Sequence, residues 1–555
     1  MSRHAASGER SSETTALTVF TLALSHCLAL QVAKDVGTLG LAVQPQRLWT
    51  ALLAGAVCYA HVRPWSSRSL FSLAAAGLGT LCAHGSQSNH VIVEMALAAG
   101  VLLTAPLAAL VEDASTASAR AARREWLVRL ASCVRAQLSV LYASAALAKL
   151  NSGWFDPASS CCVQMAAAML GGWLPAWPRL LHLLPAAAIA FEVGFPLALG
   201  AASFGGGGGE GTGRRSTLRA LMVSGASFHA AIALPPPPLS VYPFTMLMVP
   251  FYVVGLLPEE VGRAARAFAS APPPALAACG AAGVAACFAA VAASRRAAGR
   301  FEYPPYMAWE LGVLWSMTAF GSLACAALLP PPRQPPKAQA ALPPATAARR
   351  AASLLPAACL GLLAAMPLLG VRTHPSLAMF SNLDVGGGAS NHWLPHAAGL
   401  RLPEWLVPSE YTADAALLLL ETDHGGLAAA QVNLAPLLPA ATRGDLRAVN
   451  ACARFYISPP SWRAPPTEPL APFGLPLVEV RRRLSAQPGE GPQDFYLRYR
   501  EIRAGAPVGP ERLYRRRAGV RTAESDQRLD APLPPIRALL HRFRAFDVEG
   551  NVCRH

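Results

Sequence analysis

Residues Leu141 to Phe155 read LYASAALAKLNSGWF. The stretch begins as an apolar helix and ends on Lys149, Leu150 and Asn151. A turn at Gly153 and the aromatic pair Trp154-Phe155 follow. Lys149 is the residue that asks for a reason. Of 47 lysines and arginines, only Lys34, Lys149 and Lys337 are lysines. Wherever else the chain carries a fixed positive charge, it uses arginine. An ammonium loses its proton when desolvated, while a guanidinium effectively does not. Ionisable groups inside membrane segments are costly and usually functional. Lys149 is therefore either a working amine or a cation snorkelling from a helix end to the interface. The residues alone leave both readings open.

The surroundings of this stretch are those of a membrane protein. Of 555 residues, 53% are hydrophobic and only 14% charged, a balance unlike that of a water-soluble domain. The net charge of +15 is not a nucleic-acid signature. The arginines sit in short clusters between apolar runs, where a topology signal belongs. Low-complexity pieces (GGGGGEG at 205–211, PPPP at 235–238, PPP at 272–274 and the Pro/Ala run from Pro330 to Pro344) account for part of the high Gly and Pro content. Twelve cysteines are scattered without a CxxC, so no metal or redox motif is expected. Cys161, Cys162, Cys452 and Cys553 are candidates for an outward-facing disulfide, with a connectivity that is not readable. The first apolar run, Ala16–Val32, reads as a span or signal anchor rather than a cleaved signal.

Apolar segments recur at 16–32, 48–62, 68–84, 90–111, 130–149, 180–204, 217–234, 240–257, 275–293, 308–329 and 351–370. A span needs roughly 20 residues, and about nine to eleven spans are expected; the 275–293 segment is the least regular, ending in Arg295, Arg296 and Arg300. Arginines follow the even-numbered segments: Arg63 and Arg68, Arg120, Arg123 and Arg124, Arg214, Arg215 and Arg219, then Arg263 and Arg266. Those ends and the N-terminus are thus placed on the cytoplasmic side. Asn89-His90, Lys149, Phe228-His229 and Tyr242 then fall at the outer ends of four helices, at one depth. Each histidine alone has a plain structural reading; together with Lys149 they suggest a shared site. Glu192, in AFEVGFPLAL, lies deeper and calls for a cationic partner.

After Arg372 the chain becomes polar and rich in Pro and Arg. Ala415–Leu420, Leu475–Val480 and Asp494–Tyr499 read as short apolar runs, and LPLVEVRRRL and DFYLRYREI carry strand-like alternation. The expected fold is mainly α: an N-terminal tail (1–14), a polytopic transmembrane helical bundle (15–372) with low-complexity loops at 205–215 and 330–350, and a small β-rich or α+β domain (373–555) on the outer face. At the junction, MFSNLDVGGGASNHWLP (379–395) holds three glycines that permit a tight turn. Its Asn382, Asn391 and His392 either close over a site or simply cap the bundle.

At LAKLNSGWF, with SNH upstream and FHAAIALPPPPLSVYPFTMLMVPF downstream, the sequence resembles the transmembrane module shared with vitamin K-dependent γ-carboxylases, the HTTM family. The matching residues are Lys149-Leu150-Asn151 with Trp154, Asn89-His90, Phe228-His229, and Tyr242-Pro243-Phe244-Thr245-Met246-Leu247. The FSNL and SNHWLP pieces are similar as well. The resemblance covers roughly residues 15–395 and extends loosely to the C-terminal domain. It implies a membrane enzyme that couples oxidation of vitamin K hydroquinone, or a similar quinol, by O2 to carboxylation of peptide glutamate with CO2. Lys149 would be the base that deprotonates the quinol. His90 and Asn89 would polarise the quinone or the developing anion. His229, Trp154, Tyr242 and Glu192 would line the quinone site. The bilayer and a glutamate-containing secretory peptide are the implied partners, nucleic acid is not, and the implied location is the endoplasmic reticulum membrane with the C-terminal domain lumenal. The carboxylases carry two adjacent lysines here; in this chain the first position is Ala148.

Two other classes stand beside this one. The first is an HTTM-type quinol oxidoreductase or lipid-modifying enzyme without glutamate carboxylation. The second is a non-catalytic transporter or scaffold. A transporter of the inverted-repeat kind would show two related halves, and no such repeat is visible. A scaffold would have no need of Lys rather than Arg at 149.

Overall fold

The computed structural model describes residues 12–39, 44–84, 89–106, 117–156, 160–170, 178–204, 212–235, 241–255, 312–321, 347–373, 385–393, 403–424, 472–485, 494–517 and 526–534, with single positions 261, 377, 378, 381, 383, 427, 520, 521, 537, 541, 543 and 546. Within them the chain is mostly helical, with strands confined to the C-terminal region. The helices are α1 (Ser12–Leu39), α2 (Gln44–Val62), α3 (Ser67–His84), α4 (Asn89–Thr104), α5 (Ala117–Ala148), the single turn α6 (Ser152–Phe155), α7 (Cys161–Leu170), α8 (Pro178–Phe204), α9 (Thr212–Ala233), α10 (Tyr242–Gly255) and α11 (Ala347–Ala365). Residues 312–321 are also helical. Where the structure describes them, the apolar segments read from the sequence contain helix: of 308–329 only 312–321 is described, 351–370 is helical as far as Ala365, and 275–293 lies outside the described residues.

α5 is the axis of the bundle. It packs against α1, α4, α8, α10 and α11, and its Trp126, Leu130, Val134, Leu138 and Tyr142 are buried in one continuous core with those neighbours. Close approach is made possible by missing side chains. A Cβ on Gly225 of α9 would fall 2.6 Å from the Tyr252 hydroxyl, so only glycine leaves room for that ring. Arg135, buried in the middle of α5, donates from Nε to the Gly255 carbonyl at 3.0 Å. It thereby caps the negative end of α10, where a cation is favoured.

Two described helical stretches are long and apolar enough to cross a membrane, Ala121–Ala148 and Leu183–Ser203; the apolar stretches Thr15–Ala29, Asn89–Thr104, Phe244–Gly255 and Ala351–Ala365 are shorter. Leu183 and Leu197 on α8, Leu48 and Val62 on α2, and Leu354, Leu355 and Leu362 on α11 stand exposed.

The C-terminal region holds an antiparallel hairpin and a five-stranded antiparallel sheet. The hairpin pairs β1 (Val385–Gly386) with β2 (Ala389–Ser390). Its central residues Gly387 and Gly388 have φ of +61° and +82°, the turn that two glycines make without strain. The sheet contains β3 (Ala416–Thr422), β4 (Phe473–Pro476), β5 (Phe495–Arg503), β6 (Ala506–Arg517) and β7 (Val520–Arg521), in the order β4-β3-β5-β6-β7. Leu417, Leu419, Leu497, Tyr499 and Tyr514 make one buried face. Ala416, Leu418 and Ile502 make the other, with Phe546.

LPLVEVRRRL is not a strand throughout. β4 ends at Pro476, and Leu477–Ser485 is helix α12. Leu477, Val480 and Leu484, spaced by three and four, face the sheet core, while the alternation that suggests a strand comes from Val478 facing Ala413 and Phe543. The fully buried Glu479 is held by Arg482 and by Arg483 Nε at 2.7 Å, contacts that helical spacing of three and four creates. A last turn, α13 (Gln527–Asp530), is capped by Asp526.

Candidate active site

α5 ends at Ala148, and the last carbonyls of a helix need partners from outside it. Here they come from two places. Asn151 donates from Nδ2 to the Ala148 carbonyl at 2.9 Å and to the Ser381 carbonyl at 2.6 Å, and its Oδ1 accepts from the Trp154 amide at 2.9 Å. One fully buried side chain thus closes α5, caps α6 and ties both to the junction segment. Residues 391–393 run alongside as a strap. The His392 imidazole donates from Nε2 to the Leu147 carbonyl at 2.8 Å, the Trp393 amide donates to the Leu150 carbonyl at 2.8 Å, and the Ser152 amide to the Asn391 carbonyl at 3.2 Å. Phe155 and Trp393 stack with centroids 4.6 Å apart. Asn391 and His392 therefore cap the bundle through its backbone.

This closure fixes Lys149. Its Nζ lies 2.6 Å and 2.7 Å from the two carboxylate oxygens of Glu192 on α8, and both residues are buried. The ammonium also sits 5.2 Å from the centroid of the Trp154 ring, within cation–π range. Trp154 is itself held by Nε1 donating to the Pro185 carbonyl of α8 at 3.1 Å. The two partners of the ion pair belong to the two described stretches long and apolar enough to span: Glu192 lies inside one, and Lys149 directly follows the other.

Beside the pair lies a cluster of rings. Tyr142 of α5 packs on Phe195 at 4.4 Å and Phe191 at 5.8 Å, and Phe191 stacks on Phe228 at 4.6 Å. The Tyr142 and Tyr252 hydroxyls share a hydrogen bond. His229 stands among these rings, 5.3 Å from Phe244 and 5.9 Å from both Tyr142 and Tyr252. It is 2% exposed, and neither Nδ1 nor Nε2 has a hydrogen-bond partner among the described residues. A buried polar group left so costs about 1–3 kcal/mol, and such groups in native proteins call for an explanation.

The other residues named from the sequence are distributed as follows. Asn89 and His90 are buried in the first turn of α4. Trp126 Nε1 donates to the Val101 carbonyl and Gln137 Nε2 to the Ala96 carbonyl, so α4 runs antiparallel to α5 and begins toward the Lys149 end. The Lys149 ammonium bonds to Glu192 and not to them. Tyr242 packs elsewhere, with Ala233, Leu234, Val313 and Met317. Lys149 contacts both Glu192 and Trp154; His229 stands in the neighbouring ring cluster.

Several residues of the site went unread in the sequence. Tyr142 is seven residues before Lys149, a spacing that puts both on one helix face. Phe191 and Phe195 flank Glu192 at helical spacing, and those two spacings were the available signals. Tyr252 and Ser381 carried none. Among the described residues no group of three or more His, Cys, Asp or Glu is placed to hold a metal ion. Cys161 is disulfide-bonded, while Cys162 is a free thiol. No protein-family model, no curated protein and no solved structure matches the chain.

Proposed function

We propose that this chain is a multi-pass membrane enzyme of the γ-carboxylase type. It takes a lipid-like reduced quinone into its helical bundle and couples its oxidation by O2 to carboxylation of peptide glutamate with CO2, with Lys149 as the base. The observation that carries the reading is the Lys149–Glu192 pair, buried beside an aromatic cluster whose imidazole, His229, has no hydrogen-bond partner among the described residues. A flat hydroxylated ring fits such a place. Its faces stack on aromatic side chains, and one oxygen satisfies His229.

The quinol supplies the electrons and, with O2, the strong base that carboxylation needs. The chain does the rest. A lysine bridged to a carboxylate can pass its proton to Glu192 without changing the net charge of the pair, and so present a free amine in a dry site. Trp154 and the 391–393 strap hold the amine in place and keep water from it. In this reading the N-terminus is cytoplasmic, the helices make about nine to eleven crossings of the endoplasmic reticulum membrane, and the C-terminal domain meets the glutamate-containing peptide on the lumenal side.

A second reading, a quinol oxidoreductase without carboxylation, is favoured by Ala148 standing where the carboxylases have a second lysine. One reconstitution separates the two. The protein in nanodiscs is given reduced vitamin K, O2, labelled bicarbonate and a glutamate-rich peptide. Label in the peptide that is lost in Lys149→Ala supports the carboxylase. Quinol oxidation without label, lost in the same variant, supports the oxidoreductase. No quinol turnover by the wild type overturns both.

A further inference from the structure

Far along the chain from the ion pair, two histidines are placed as a ligand set. His26 of α1 and His61 of α2 bring their Nε2 atoms to 3.2 Å, with ring centroids 5.2 Å apart. His61 Nδ1 lies 2.8 Å from the Val57 carbonyl oxygen, one turn back on the same helix. A carbonyl only accepts, so Nδ1 carries the proton, and Nε2 of the neutral His61 ring is a bare lone pair. That lone pair faces His26. The His26 ring also meets Trp315 edge-on, with centroids 6.2 Å apart, which limits its rotation. His61 is exposed and His26 is half-buried.

We propose that His26 and His61 form a metal site that clamps α1 to α2 through their two Nε2 atoms and takes a first-row divalent ion of the zinc or copper class. Metal–nitrogen bonds of about 2.0–2.1 Å at a tetrahedral angle put the two nitrogens roughly 3.3 Å apart, so the rings already span one edge of a tetrahedron. The His61 Nδ1–H bond to a backbone carbonyl is the outer contact that metal-bound histidines usually carry, and it fixes the ring with the ligating nitrogen outward. For His26 to ligate, its proton moves to Nδ1, which bonds to no described residue. Among the described residues, the hydrogen bond given up is the Nε2–Nε2 one that the metal replaces. The remaining coordination positions are left to non-protein ligands on the exposed side of His61. Imidazole donors suit zinc and copper(II).

The test uses the full chain in nanodiscs, with the exposed Cys58 replaced by serine so that no thiol on that helix captures the ion. Copper(II) alone is titrated and its electron paramagnetic resonance recorded; zinc is followed by competition with a chelating dye. One ion per chain, a spectrum with two nitrogen donors, and affinity at least tenfold lower in both His26→Gln and His61→Gln are expected. Zinc should also raise the unfolding temperature of the parent and leave both variants unchanged. Since His61 is exposed, His61→Gln tests the site without disturbing the core. Binding equally tight in the double variant, or a spectrum with one nitrogen donor, overturns the proposal.

Discussion

Lys149 Nζ and the Glu192 carboxylate meet through two short contacts, 2.6 Å and 2.7 Å, across α5 and α8. Removing one member leaves the other charged and buried. Lys149→Ala should therefore cost about 3–5 kcal/mol of stability, and adding Glu192→Ala should restore part of it. Lys149→Arg keeps the positive charge and with it most of the stability, but offers no free amine, so quinol oxidation should fall by about 10²–10⁴-fold. Thermal unfolding in detergent and a quinol assay read the two effects separately. Full turnover in Lys149→Arg would sink the base.

Asn151 tests how the strap positions that lysine. Its side chain donates to two carbonyls, of Ala148 and Ser381, and accepts from the Trp154 amide. Asn151→Asp keeps the acceptor and the cap but sets a carboxylate oxygen against two carbonyls. It should therefore be at least as damaging as Asn151→Ala, with a loss of about 2–3 kcal/mol. Limited proteolysis of the junction on either side of the strap should accelerate in both variants. An Asp variant as stable as wild type would mean that the cap alone matters.

Phe546 locks the hairpin onto the sheet. An added Cβ would come 2.5 Å from its ring at Gly386 and 2.3 Å from it at Gly474, while Gly474 and Phe546 exchange both backbone hydrogen bonds, at 2.7 Å and 2.9 Å. Gly474→Ala should cost about 1–3 kcal/mol through overpacking, and Phe546→Leu should partly rescue it. Lowered expression or melting temperature of the single variant, recovered in the double, is the readout.

The sequence made the helices legible because their apolar runs are long and the rare lysine stands out. It made Glu192 legible as a carboxylate in need of a cation. That the cation is Lys149 depends on how α5 and α8 pack, a tertiary fact no local pattern carries. Phe228-His229 was readable as a pair, but the missing partners of the imidazole were not. Tyr242, expected from the sequence at the depth of the other candidates, packs against the 312–321 helix, because a place at a helix end does not fix which face a side chain takes. The strand-like letters of 477–484 became a helix, since a Leu/Val/Glu/Arg string supports both periods and Pro476 ends the strand first.

Acid should loosen the C-terminal sheet through Asp526. Burial alone would raise its carboxyl, but hydrogen bonds from Arg528 and Tyr499 outweigh burial and hold it down at about 2. The unfolded value is about 3.9. A group lower in the folded state stabilises above its unfolded value and loses that contribution as pH falls through its folded one. Asp526→Asn, which still caps α13, should cost about 1 kcal/mol at neutral pH, less than the shift alone implies because the site is partly screened by solvent. The gap to wild type should close between roughly pH 4 and pH 2. Amide exchange in β5 and β6, compared between variant and wild type at each pH, reads it. A gap that is constant with pH would assign the effect to packing.

His229 separates a structural histidine from a ligand-binding one. Both ring nitrogens are buried without a partner among the described residues, so the free protein bears their desolvation cost. A phenylalanine fills nearly the same space among Tyr142, Phe228, Phe244 and Tyr252 and has no such cost. His229→Phe should therefore melt higher than wild type, by an amount equivalent to about 1–3 kcal/mol. If the imidazole serves a quinol oxygen, the same variant should need about tenfold or more quinol for half-maximal oxidation. A histidine kept for the fold predicts the reverse, with lower stability and an unchanged quinol requirement. The opposite signs of the two changes are the test, since few substitutions in a core raise stability while removing function.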